Sequence, residues 1–182
     1  AEHQIEALKD ELNRAIELTN LDPLTSLTNR RGMQSAFMAE AARSDRHGTS
    51  LCIALIDIDD FKRINDSFGH AAGDAALTHI AKVMRATLRP NDVLARVGGE
   101  EFMVLLPSSN QQAAFAALNR LLKAVANNAV VCGPHRITVT FTSSVTARAF
   151  GEPRAKLEER LDEALYRAKH AGKNRVMFAV AE

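Results

Sequence analysis

The segment Asp92-Val93-Leu94-Ala95-Arg96-Val97-Gly98-Gly99-Glu100-Glu101-Phe102-Met103-Val104-Leu105-Leu106 contains two β-prone runs, Val93 to Val97 and Phe102 to Leu106, separated by Gly98-Gly99 and two acids. Gly-Gly between such runs predicts a tight hairpin, because both residues tolerate positive φ. A plain hairpin has no need of the carboxylates Glu100 and Glu101 at its turn. Acids at a tip where a ligand can approach the backbone closely point to a metal ion or to a proton transfer.

Upstream, Ser50 to Ile58 is apolar until Asp57-Ile58-Asp59-Asp60, which predicts a buried strand ending in acid. If the strand continues through Asp59, its period of two puts Asp57 and Asp59 on one face and Ile58 on the other. Asp59 or Asp60 suits the cap of a helix that begins near Phe61. Asp57, still inside the strand, is a buried carboxylate that is costly without a cation. The helix start at Phe61 and Lys62 offers unpaired N–H groups, a positive dipole end and an ammonium, all suited to a polyphosphate. A helix from about Asp74 to Leu88 then presents Leu77, Ile80, Ala81, Met84 and Leu88 on one face and stops at Pro90. Arg89-Pro90-Asn91-Asp92 joins it to the first hairpin strand. Taken alone, Arg-x-x-Asp is a surface ion pair worth under about 1 kcal/mol.

At the front of the chain, Ile5, Leu8, Leu12, Ala15 and Thr19 recur with the alternation of a coiled-coil seam. Residues 1–20 therefore form an N-terminal stalk helix that pairs with a second copy or folds back on its own domain, and residues 21–182 form the domain. Asp22-Pro23 ends the stalk. Further helices are expected over Arg31 to Arg46, Gln111 to Asn127 and Pro153 to Ala171. Strands are expected at Val130 to Cys132, Arg136 to Thr146 and Val176 to Val180. This element order gives an α/β (α+β) sandwich with a mostly antiparallel central sheet flanked by helices.

Composition narrows the function. Lys plus Arg nearly balance Asp plus Glu, for a formal charge of +1, so no global basic field argues for a nucleic acid polymer. Cys52 and Cys132 sit in separate apolar runs without metal-ligand spacing, as buried thiols of a reducing compartment do. No apolar run has the length of a membrane span, which argues against membrane contact and for a cytoplasmic domain. The start at Ala1 rather than Met is expected of a fragment or a processed form of something longer, sensor-linked or membrane-tethered.

Gly98-Gly99-Glu100-Glu101-Phe102 resembles the GGEEF form of the signature of the GGDEF family of diguanylate cyclases, and the rest of the chain supports the resemblance. Asp22-Pro23-Leu24-Thr25-Ser26-Leu27 and Asn29-Arg30-Arg31 match the family's entry to the domain, with Ser26 in place of glycine. Phe61 to Asp74 is similar to its substrate-binding stretch. Over Asp22 to Val180, the resemblance implies a palm-like fold shared with nucleotidyl cyclases and synthesis of cyclic di-GMP from two GTP molecules. It implies that Asn65 and Asp74 contact guanine, that Phe61 and Lys62 sit by the phosphates, and that Lys169 and Lys173 bind phosphate, Lys173 replacing the more usual arginine. A carboxylate at Asp74 suits the N1 and N2 donors of guanine, and adenine has no donor at N1. The implied metal, magnesium or manganese, takes Asp57, the Ile58 carbonyl and Glu100, with Glu101 a further ligand or base. Arg89 and Asp92 match an inhibitory site for the product, to which Arg120 contributes a second arginine unless it is only a solvated charge. Each domain holds one GTP, so ring closure implies a homodimer. The rival is a catalytically silent cyclic di-GMP receptor or dimerisation module.

Overall fold

The computed structural model of the protein describes residues 1–180. The first element, over the expected stalk, is a helix, α1 (Glu2–Thr19). Its side chains from residues 2 to 16 are exposed, the apolar Ile5, Leu8, Leu12 and Ile16 included, so this stretch does not fold back on the domain. The chain then tightens into a turn. Asp22 accepts hydrogen bonds from the Thr25 backbone N–H at 2.8 Å and the Thr25 hydroxyl at 2.7 Å. Ser26, at the family's glycine position, takes a left-handed φ of 60°, a conformation that glycine adopts freely and other residues only at a cost of about 1–2 kcal/mol. Asn29 caps α2 (Arg30–His47) by accepting from Gly32 N–H, as its type favours.

The remaining elements follow in the order β1 (Leu51–Ile58), α3 (Phe61–Phe68), α4 (His70–Thr87), β2 (Val93–Arg96), β3 (Glu101–Pro107), α5 (Gln111–Asn127), β4 (Val130–Cys132), β5 (His135–Ile137), β6 (Phe141–Ala147), α6 (Arg154–His170) and β7 (Arg175–Phe178). The central sheet runs β2-β3-β1-β6-β7. Its pairs are antiparallel except β6 with β7, which α6 connects in parallel, so the expected sheet class is found. β1 is the middle strand and is buried on both faces, which is why it reads as an unbroken apolar run. Cys52, Ala54, Ile56 and Ile58 pack with Leu77, Ile80 and Met84 of α4 and Leu118 and Leu121 of α5. Leu51 and Ile53 pack with Met33 and Phe37 of α2 and Leu157 and Leu161 of α6. Among the described residues no helix is long and apolar enough to cross a membrane.

Two expectations shift. The long helix begins at His70 rather than Asp74, because Gly69, with φ of 91°, breaks α3 from α4 and lets the helix restart at once. The run from Arg136 to Thr146 is not one strand. β5 pairs with β4 in a separate hairpin, while β6 enters the main sheet.

Candidate active site

The C-terminal end of β1, the hairpin tip, the start of α3 and the turn after α6 enclose a cleft of about 220 Å³ lined by Asp57, Ile58, Asp59, Asp60, Phe61, Lys62, Glu100, Lys169 and Lys173. The tip is pinned there by the Ile58 N–H, which donates to the Glu100 carbonyl at 3.1 Å. Asp57 and Glu100 therefore converge as the family resemblance implies, as do Phe61, Lys62, Lys169 and Lys173. Asp57 is buried, 8% exposed, and its Oδ2 accepts from the ammonium of Lys169. A carboxylate in this position needs such a partner.

Asp59 and Asp60 do not cap α3 as expected. Asp60 stands at the cap position in a left-handed conformation with no side-chain cap bond and instead accepts from Lys173 Nζ at 2.8 Å. That bond, with the added charges of Asp59 and Asp57, raises the Lys173 pKa. Asp59 lies beyond the end of β1 and accepts from Thr142 Oγ1 at 2.6 Å, Thr140 Oγ1 at 2.7 Å and the Asn174 N–H at 3.0 Å. The turn it grips has three successive left-handed residues, Gly172, Lys173 and Asn174, at φ of 124°, 61° and 48°. For residues other than glycine this conformation costs about 1–3 kcal/mol and persists where the surroundings enforce it. No composition or spacing signal marks Asp59 for this contact, since its partners lie more than eighty positions away.

The hairpin tip departs from its expected geometry. Neither Gly98 nor Gly99 is in the left-handed region. The loop closes through the N–H groups of Val97 and Gly98, which both donate to the Glu101 carbonyl, at 2.9 and 3.3 Å. A Cβ on Gly98 would lie 2.9 Å from Glu101 Oε2 and 3.2 Å from its Cβ, whereas one on Gly99 would meet nothing within 4 Å. The chain's own packing thus leaves Gly99 free to face a ligand.

Glu101 is not in the cleft. Adjacent residues of extended chain point to opposite sides, and Glu101 lines a second cleft of about 280 Å³ with Arg30, Glu158 and Asp162. Its position does not support the expected role as a ligand or base. Burial, followed by the charges of Glu158 and Glu101, raises the Asp162 pKa, with Lys169 opposing. Asn65 is brought from α3 to the first turn of α4, beside the residue that precedes Asp74. The Asn65 amide packs against Gly73, where an added Cβ would fall 1.8 Å from Asn65 Oδ1. Asp74, exposed, is the next residue of α4 after Gly73.

A third cluster forms away from the cleft. Arg89, Asp92 and Arg120 line one small pocket of about 100 Å³ with Leu88 and Ser109. Arg89 Nη2 donates to Asp92 Oδ1 at 2.9 Å, Ser109 Oγ at 2.7 Å and the Pro107 carbonyl at 3.0 Å. Its hydrogen bond to Asp92 raises the Arg89 pKa. Ser109 was not foreseen, and Arg43 of α2 lines an adjoining pocket beside Arg89.

Residues 19–175 match the family described as "Diguanylate cyclase, GGDEF domain". The chain is 42% identical over 172 residues to diguanylate cyclase DgcP of Pseudomonas aeruginosa, covering 94% of this chain and 25% of that protein. It is 37% identical to diguanylate cyclase A of Treponema denticola, covering 92% of this chain and 46% of that protein. It thus spans less than half the length of either relative. The crystal structure of the coiled coil and GGDEF domain of DgcB from Caulobacter crescentus in complex with c-di-GMP superposes with a TM-score of 0.90 at 29% identity, covering 98% of this chain and 95% of that one.

Proposed function

The chain belongs to the GGDEF-domain family of diguanylate cyclases, and from that premise we propose that it condenses two GTP molecules into cyclic di-GMP with release of two pyrophosphates. The observation that carries the reading is the single cleft that gathers Asp57, Ile58 and Glu100 with Lys62, Lys169 and Lys173, oxygen donors for a cation beside ammonium groups for phosphate. In each half-reaction the 3′-oxygen of one GTP bonds to the α-phosphorus of the other. The bond from that phosphorus to the bridging oxygen of pyrophosphate breaks, and the 3′-hydroxyl proton leaves to base or solvent.

Lys169, Lys173, Lys62 and the α3 N-terminus beginning at Phe61 bind the triphosphate, and Asn65 and Asp74 read guanine. The donor set offered by Asp57, the Ile58 carbonyl and Glu100 is hard oxygen, which fits Mg2+ or Mn2+. Such an ion, when bound, would lower the pKa of the hydroxyl and offset charge on the phosphate. A pair of carboxylates with one carbonyl suits magnesium, which keeps several waters of its own. We assign residues 1–20 as a stalk that pairs two chains and residues 21–182 as the catalytic domain, of which 181–182 lie outside the described residues. The exposed Ile5, Leu8, Leu12 and Ile16 supply the pairing face, and pairing raises the effective concentration of one domain for the other. Cyclic di-GMP held by Arg89, Asp92 and Arg120 acts as the feedback inhibitor. Since GTP is the substrate, we place the domain in the cytoplasm.

The test is incubation of the purified chain with GTP and Mg2+, with nucleotides separated by chromatography against an ATP control. Cyclic di-GMP from GTP alone supports the cyclase and its base selectivity together. No product at high protein concentration, with bound nucleotide stripped away, overturns the reading in favour of a receptor.

A further inference from the structure

Asp59 is the one acid of the cleft whose two carboxylate oxygens are both occupied by the protein itself. Oδ1 accepts from Thr142 and Oδ2 from Thr140 and from the Asn174 N–H. The Thr142 hydroxyl is fully buried and accepts a second contact from that same N–H at 3.2 Å. These bonds tie the end of β1 to the start of β6 and to the turn after α6. That turn finishes α6 in the manner of a Schellman motif, with Lys173 N–H donating to the Ala168 carbonyl at 3.2 Å. It then continues through two non-glycine residues with left-handed φ, which nothing in the helix end itself requires. Left to its own preferences the turn would relax, and Lys173 would leave the cleft edge where it now meets Asp60 at 2.8 Å.

We propose that Asp59 is a positioning residue: through Thr142 and the Asn174 N–H it clasps the left-handed turn that holds Lys173 over the triphosphate side of the cleft, and it is not itself a metal ligand. The proposal rests on the cyclase reading only in assigning phosphate to Lys173. Asp57, inside β1, and Asp59, just past its end, thus have different work: the first meets an ammonium, the second two hydroxyls and an amide.

Amide hydrogen exchange and nucleotide binding test the clasp separately. In Asp59→Ala, and more weakly in Thr142→Val, exchange at Asn174 should accelerate about tenfold or more while that of β1 is unchanged. Thr142→Ser, which keeps the hydroxyl, should exchange like the parent chain. With GTP as substrate, Asp59→Ala should raise KM about tenfold with kcat within about threefold, and Asp59→Ala combined with Lys173→Ala should be no worse than Lys173→Ala alone. Mn2+ affinity, measured without nucleotide by paramagnetic resonance, should not change. Unaltered exchange at Asn174 overturns the clasp. A fall in Mn2+ affinity makes Asp59 a ligand instead and likewise overturns it, as does a loss confined to kcat. If the parent chain makes no cyclic di-GMP, the cyclase reading fails, and the exchange and Mn2+ measurements still decide on Asp59.

Discussion

Asp22 and Arg96 form an ion pair at 3.2 Å between side chains that are 13% and 18% exposed, and the same guanidinium donates to the Gly99 carbonyl from Nε at 3.0 Å and Nη2 at 2.9 Å. One arginine therefore links the turn beneath the stalk to the tip of the hairpin.

That pair predicts a pH-dependent stability. Burial would raise the Asp22 pKa, but hydrogen bonds from Thr25 and the neighbouring Arg96 outweigh it and hold the carboxyl below its ordinary value of 3.8. A depressed carboxylate contributes stability that is present above its unfolded pKa and lost as pH falls through the folded one. Asp22→Asn should cost about 1.5–3 kcal/mol at pH 7, the range for a charged hydrogen bond. By denaturant unfolding, the gap from the parent should be the same at pH 7 and pH 5 and shrink below 3.8. A gap that stays constant in acid would exclude the ion pair as its source.

Glu100→Gln should lower cyclic di-GMP formation by at least about a hundredfold, as expected when a ligand of the reacting centre is lost. Because Glu100 is only part-buried at a loop tip, the melting temperature should move by less than about 2 °C. Retained turnover would refute its place in the cation set.

Gly73→Ala tests the proposed guanine contact of Asn65 without replacing a proposed contact residue. The new methyl would fall on Asn65 Oδ1, so the amide must swing away. KM for GTP should rise about tenfold with the fold intact. An unchanged KM would show that Asn65 does not read the base.

Arg89→Ala should abolish product inhibition, measured as the concentration of cyclic di-GMP that halves the initial rate. It also strips the Asp92 carboxylate, whose side chain is 2% exposed, of its cation. The Arg89 backbone N–H still donates to Asp92 at 3.0 Å, so the expected loss of stability is about 1–3 kcal/mol. Undiminished inhibition would place the product elsewhere.

Leu8→Glu together with Leu12→Glu puts like charges on the exposed face of α1. Sedimentation should then give monomers where the parent chain gives dimers, and specific activity at low protein concentration should fall about tenfold or more. Equal activity at equal concentration would remove the stalk from catalysis.

The hairpin, the acidic end of β1 and the amphipathic helices were legible because each follows a local period or a turn signal. The placement of Arg120 beside Arg89 and Asp92 followed from the family resemblance and is met in the structure. Other features depend on partners distant in the chain. Nothing local to Asp59 announces Thr140, Thr142 and Asn174. The side taken by Glu101 depends on where β3 starts, since a shift of one position exchanges the two faces. The break at Gly69 was missed because Asp74 reads equally well as a cap. The φ values of Gly98 and Gly99 were misjudged because close approach, as well as positive φ, selects for glycine.

The Lys169 ammonium on Asp57 makes cation loading at that carboxylate a counterion exchange rather than an addition. On the proposed function, a divalent ion taking Asp57 would do so in competition with a fixed charge that cannot diffuse away, and the displaced lysine would then be free for the phosphates. Freeing the lysine would favour nucleotide, and by linkage nucleotide would favour the metal ion by the same factor, so each should bind more weakly alone than in the presence of the other.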